Sequence, residues 1–249
     1  VHRADAPLRI GYVGRLDDAQ KRAGDLIAFV AELDARAIPY TLDVAGDGPA
    51  ANALRSALPR ASFLGWLTTD ALYDRVYPEL DVLVHFAAWE GITIAPREAM
   101  AHGVVPVISR FTGLAAEGQF VDEVNALTFD VGDVGAAADA VARLARDREL
   151  LERLARAARE SQGGINSEEG AARAWAEAFD LALQLPPRIG ATMPVVPRAS
   201  GRLAFLPEAL AEVIRRRRPM QHNDPGGEWP HWSGERDEAL MQAIAEYAR

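Results

Sequence analysis

Short apolar runs recur through the first half of the chain, and each is followed by a stretch whose apolar residues return every three or four positions. The runs occupy residues 8–13, 40–45, 62–64, 81–86, 104–109 and 126–129. Runs of this length, apolar on both faces and bounded by turn formers, predict buried parallel strands. Residues 24–36 carry Leu26, Ile27, Val30 and Leu33 at helical spacing, and 49–58, 69–76, 93–102 and 135–146 also read as helices. Two amphipathic helices, 148–160 and 167–183, close the pattern. Strands alternating with helices predict an α/β fold with a doubly wound parallel sheet. Beyond residue 185 prolines interrupt the pattern; 207–218 and 233–249 read as helices and 222–232 as a turn-rich link. The expected division is therefore a sheet domain, 1–185, and a partly helical extension, 186–249.

The segment from Trp89 to Gly103 (WEGITIAPREAMAHG) holds the most informative polar residues. The apolar strand 81–86 precedes it, and the pattern turns helical near Thr93, a candidate N-cap, with Pro96 tolerable in a first turn. Glu90 then lies on the loop leaving a strand, and Glu98 about one turn inside the next helix. In an open α/β sheet, ligands bind outside the C-terminal ends of the strands. The amides of a helix start add an anion site at the same edge. An anion cradle flanked by two carboxylate acceptors suits a phosphorylated, hydroxyl-rich ligand.

Composition sharpens this picture. Of 27 basic residues only Lys21 is a lysine, and it stands six positions after Arg15, at the end of the strand 8–13. A point-charge ammonium among planar guanidinium groups points to phosphate binding. The net charge of −9 argues against a nucleic-acid partner, because phosphate backbones need a basic face. With no cysteine, disulfide and thiolate chemistry are excluded. No apolar run is long enough to span a bilayer, and no secretory signal opens the chain. A membrane-surface contact rests only on Arg215–Arg218 beside Val213 and Ile214.

Taken in order, these landmarks resemble the C-terminal, donor-binding half of a retaining GT-B-fold glycosyltransferase of the family 4 type. They are Gly11-Tyr-Val-Gly14-Arg15 with Lys21, Val44-Ala-Gly-Asp-Gly-Pro49, Phe63-Leu-Gly65-Trp66 and Asp81-Val-Leu-Val84. Then come Glu90 to Glu98, Ala99-Met-Ala-His-Gly103, Pro106-Val-Ile, Gly113, Asn125-Ala-Leu-Thr-Phe129 and Asp133. The resemblance implies a Rossmann-like domain that binds a nucleotide diphosphate sugar, of UDP or GDP type, and needs no cofactor or metal. It assigns Arg15 and Lys21 to the diphosphate, with the amides of Gly91, Ile92, Thr93 and Ile94 beside them. It assigns Glu98 to the ribose and Glu90 to the transferred sugar, with Gly65 and Trp66 lining the base pocket. Glu90, Arg15 and Lys21 form the expected catalytic set. The resemblance further implies an acceptor-binding domain upstream, so the chain, which starts without methionine, reads as a fragment that binds donor and turns over poorly. It also implies a cytoplasmic protein, peripheral at most to the inner membrane face, in polysaccharide or glycolipid assembly.

Two departures from the family pattern bear on the donor. Ile92-Thr93 replaces the usual aromatic-glycine pair, so the Thr93 side chain narrows the phosphate approach while its hydroxyl offers a cap or a contact. Arg97 replaces a residue that is usually apolar, beside Glu98. His85 and His102 read as structural or solvated. A non-catalytic nucleotide-sugar-binding or assembly module on the same fold is the main alternative. A pyridoxal-dependent phosphorylase is disfavoured because Lys21 is committed to phosphate. A dinucleotide oxidoreductase is disfavoured because neither Gly11-Tyr-Val-Gly14 nor Gly46-Asp-Gly48 has the required glycine spacing.

Overall fold

The structure, a computed structural model, describes residues 6–185. Six strands run β1 (Leu8–Val13), β2 (Tyr40–Ala45), β3 (Ser62–Gly65), β4 (Val82–His85), β5 (Val105–Ser109) and β6 (Leu127–Phe129). They form one sheet in the order β3-β2-β1-β4-β5-β6, with every pairing parallel. The central strands β4 and β5 are buried along their whole length, as their unbroken apolar runs require. Pro106 sits inside β5 opposite Leu83, one residue before the pairing with β6 begins at Val107.

The helices are α1 (Asp25–Ala35), α2 (Ala51–Ala57), α3 (Thr69–Arg75), α4 (Ile94–Ala101), α5 (Leu114–Glu117), α6 (Val134–Arg146), α7 (Arg148–Ser161) and α8 (Glu168–Gln184). Side chains alternate across the sheet, so each face acquires its own core. Ile10, Val82, Val84, Phe86, Val105 and Val107 face one layer, where Leu26, Phe29 and Leu33 of α1 and Val141 and Leu144 of α6 cover them. Phe86 is the hinge of that layer, with its ring edge-on to Phe29 (5.5 Å) and to Phe129 (5.7 Å). On the other face Leu83 packs with Tyr77, Leu80 and Ala99, and Ile108 with Met100, Phe111 and Ala158.

Carboxylates start the two helices that close the layers. Asp133 accepts from the Ala136 amide at the start of α6, and Asp147 accepts from the Leu150 amide at the start of α7. The strands and helices fall within a residue or two of the expected positions. The additions are α5 and single 3-10 turns at Tyr77–Glu79 and Gly164–Asn166. One unit ends at Ala176 and a second begins at Glu177; the described residues of the second are helical to Gln184 and largely exposed. The expected helices at 207–218 and 233–249, the link at 222–232 and the arginine run 215–218 lie outside the described residues. Among the described residues, no helix is long and apolar enough to cross a membrane.

Candidate functional site

The sheet order reverses direction between β1 and β4, whose crossovers lie on opposite sides, so the loops leaving these two strands open a crevice at their C-terminal ends. Arg15, Gln20 and Lys21 follow β1, and Glu90 follows β4. Backbone contact locks the β1 loop in place. Gly46 has φ 143°, and a Cβ there would meet the Gly14 carbonyl oxygen at 1.8 Å. A Cβ on Gly48 would meet the Leu16 carbonyl oxygen at 2.4 Å. The same approach allows Gly14 N–H to donate to Ala45 O (3.0 Å) and Leu16 N–H to Asp47 O (2.9 Å). Gly46 N–H donates to Gly65 O at 2.7 Å, joining the loop after β3 to the same edge. The Gly46-Asp47-Gly48 motif therefore welds the β1 loop to its neighbour.

Glu90 is only 5 % exposed and is surrounded by donors. Lys21 Nζ donates to its Oε1, His85 Nε2 lies 3.1 Å from the same oxygen, and Gln20 Nε2 donates to Oε2 at 3.1 Å. Burial alone would raise the pKa of Glu90; the hydrogen bonds from His85 and Lys21 more than offset it and hold the carboxyl below its ordinary range. His85 is fully buried, and burial lowers its pKa despite the carboxylate beside it. Neutral imidazole facing a charged acceptor must carry its proton on Nε2. Its Nδ1 is then a buried acceptor with no partner among protein atoms.

Arg15, more than half exposed, donates from Nε to Asp17 (2.6 Å) and from Nη2 to the Gln20 side-chain carbonyl (2.7 Å). The hydrogen bond to Asp17 raises the Arg15 pKa further, so the guanidinium remains a fixed cation. Gln20 thus links Arg15 to Glu90, and Lys21 joins the same group by its direct bond to Glu90.

Glu98 is held separately, without a direct bond to that group. Its two oxygens accept from Tyr73 (3.1 Å) and Tyr77 (2.8 Å), and His102 Nδ1 donates to its backbone carbonyl at 2.8 Å. The Tyr73, Tyr77 and His102 rings lie 5.1–6.0 Å apart and wall this carboxylate. Burial, followed by the Glu98 bond, pushes the Tyr77 hydroxyl far above its ordinary pKa, so it stays a donor. Trp66 is 74 % exposed at the β3 end of the same sheet edge.

One expectation is revised at the start of α4. Thr93 has the extended backbone of an N-cap, but its side chain makes no cap bond. Its amide and its hydroxyl both donate to Glu117, at 3.1 and 2.6 Å. The helix start thus already holds an internal carboxylate, whose pKa burial raises although the Thr93 bonds oppose it. Arg97, which stands where the family is usually apolar, donates to the Asn166 side chain (2.7 Å). Ile92 and Ile94 are 65 % exposed beside Gly91. His85, read as structural or solvated, is buried and bonds Glu90. Gln20, Tyr73, Tyr77 and Glu117 were not foreseen; their one sequence signal was proximity to Lys21 for Gln20 and i,i+4 spacing for the tyrosines. Among the described residues, no group of three or more histidines and carboxylates could hold a metal ion.

Comparison with known proteins bears on this arrangement. The family model described as glycosyl transferases group 1 matches residues 7–147. A GDP-mannose-dependent alpha-mannosyltransferase of Corynebacterium glutamicum is 35% identical over 127 residues, which make up 50% of this chain and 28% of that protein. The Anabaena protein HepE, solved with UDP-glucose, superposes with a TM-score of 0.61 at 19% identity, covering 72% of this chain and 50% of that one. The catalytic domain of cholesterol-alpha-glucosyltransferase from Helicobacter pylori gives a TM-score of 0.55 at 23% identity, covering 63% of this chain and 97% of that one. At such identities the solved structures establish a shared GT-B-type fold. The chain spans well under two thirds of the mannosyltransferase and about half of HepE.

Proposed function

The chain belongs to the glycosyl transferases group 1, and from that membership we propose that it binds a nucleotide diphosphate sugar for transfer to an acceptor hydroxyl. The observation that carries the reading is the meeting of Arg15, Lys21 and Glu90 at the switch point of the sheet. Departure of a nucleoside diphosphate leaves negative charge on the β-phosphate. Arg15 and Lys21 of the β1 loop would face that charge, Lys21 by turning from Glu90, and cationic donors in a partly desolvated crevice stabilise it strongly. These cations can supply the stabilisation a metal would otherwise give, so we read the reaction as metal-independent. Glu90, kept ionised, accepts from a sugar hydroxyl and faces positive charge forming at the ring. Glu98, with one lone pair on each oxygen used by a tyrosine, retains the others for the two ribose hydroxyls.

Retention of configuration, with the acceptor entering on the face the diphosphate leaves, is part of the same reading and follows from the family resemblance of the ordered motifs. The acceptor pocket would come from an upstream domain, and the division into residues 1–185 and an extension is part of the same proposal. GDP and UDP donors are both candidates: the mannosyltransferase relative is GDP-mannose-dependent by name, and HepE was solved with UDP-glucose. Titration calorimetry with UDP, GDP and ADP tests the reading. The best of them should bind wild type and lose at least about tenfold in affinity to Lys21→Ala, the worth of a charge-assisted contact to phosphate. Equal affinity in both proteins, with unchanged melting, removes Lys21 from the diphosphate site.

A further inference from the structure

Lys21 cannot be the lasting support of Glu90 if it also serves the diphosphate, and this conflict directs attention to the side chain between the two cations. Gln20 makes three side-chain contacts. Its carbonyl accepts from Arg15 Nη2 at 2.7 Å, and its amide nitrogen donates to Glu90 Oε2 at 3.1 Å and to the Trp89 carbonyl at 3.2 Å. Its backbone is fixed as well. Its N–H donates to Asp17 Oδ1 at 2.9 Å, and its carbonyl accepts from Ala88 N–H at 2.8 Å. The loop after β1 and the loop after β4 are therefore tied at one residue. A carboxamide presents an acceptor to a guanidinium and a donor to a carboxylate from one three-atom head, with no proton to gain or lose.

We propose that Gln20 is a positioning residue that fixes the separation between the diphosphate cation Arg15 and the sugar-facing carboxylate Glu90, so that both ends of one donor are met together. The inference rests on the donor-binding reading above. Arg15 keeps free donors for phosphate while Nη2 holds Gln20, because a guanidinium carries five N–H groups. When the ammonium of Lys21 turns to the diphosphate, Gln20 and His85 still hold one Glu90 oxygen each. Gln20 itself touches neither reacting atom.

The two ends of the donor separate in a binding experiment. GDP with GDP-mannose, and UDP with UDP-glucose, are titrated into wild type, Gln20→Met and Gln20→Glu. Methionine keeps the length and volume of glutamine and removes both polar ends. Gln20→Met should bind the nucleoside diphosphate within about threefold of wild type and lose about tenfold for the nucleotide sugar, so that the sugar's contribution disappears. Gln20→Glu places a second carboxylate against Glu90, which Lys21, His85 and, farther off, Arg15, Tyr12 and Glu117 also face. Its nucleotide-sugar affinity should rise as the pH falls from about 8 to 6, since one of the paired carboxyls must take a proton, whereas wild type stays flat. Equal losses for diphosphate and sugar nucleotide in Gln20→Met would show that Gln20 only braces the loop, and would overturn the proposal. A wild-type protein that binds none of the four compounds would overturn the donor-binding reading and this inference with it.

Discussion

Glu90 is a charged group inside a nearly closed shell, and its charge is affordable only because three donors converge on it. Removing it from water costs several kcal/mol as an order of magnitude, so the partners decide its state. His85 is the partner with a pH consequence. In the folded chain burial holds it neutral, whereas in the unfolded chain it titrates near the ordinary 6.5. Below that pH the unfolded state binds a proton that the folded state refuses, so stability falls as pH drops, at up to about 1.4 kcal/mol per pH unit. Glu90 acts lower on the scale. Its folded pKa lies under the ordinary 4.5, so its contribution is intact above that value and is lost as pH falls through the depressed one. The variant His85→Gln keeps a donor for Glu90 and removes the imidazole titration. Urea midpoints measured from about pH 7 to pH 5 should fall for wild type and stay flatter for His85→Gln, with the later acid loss common to both. Sequence reading singled out Glu90, Arg15 and Lys21 through the ordered motifs of the resemblance, and the structure brings the three together. That reading did not foresee the contact of His85 with Glu90, because the Nε2–carboxylate approach depends on how the loop after β4 folds back over the strand.

At the scale of elements, the strand and helix pattern was legible because each strand reads as a bounded apolar run and each long helix keeps its spacing. Asp133 and Asp147 also stand where helix starts are expected. Asp147 does two jobs, terminating α6 and accepting from the Leu150 amide at 2.8 Å to begin α7. Asp147→Ala should lower stability by about 1 kcal/mol, the usual worth of an N-cap, read as a shift in the denaturant midpoint with unchanged slope. The four-residue helix α5 escaped notice because a single turn between Gly113 and Gly118 carries no period. Its importance lies in Glu117, whose contact with Thr93 spans 24 positions and leaves no local mark. Tyr73 and Tyr77 were hidden in the same way, since their hydroxyls meet Glu98 across more than twenty positions.

For the molecule as a whole, the decisive fact is that loops from three adjacent strands, β1, β2 and β3, are bonded into one rim. The Gly46–Gly14 approach is its tightest point, and a methyl group there has no space and the wrong backbone angle. Gly46→Ala should therefore cost about 3 kcal/mol. Because the displaced loop carries Arg15 and Lys21, it should also weaken nucleotide binding in protein that remains folded; thermal melting and calorimetry together check both effects. The solitary amine of Lys21 has one more consequence. Throughout the 249 residues no other side chain offers a primary amine to an amine-selective acylating reagent. The speed at which such a reagent modifies this chain, corrected for its terminus, thus becomes a built-in gauge of how firmly one ammonium is gripped, readable by mass alone and free of any fluorophore.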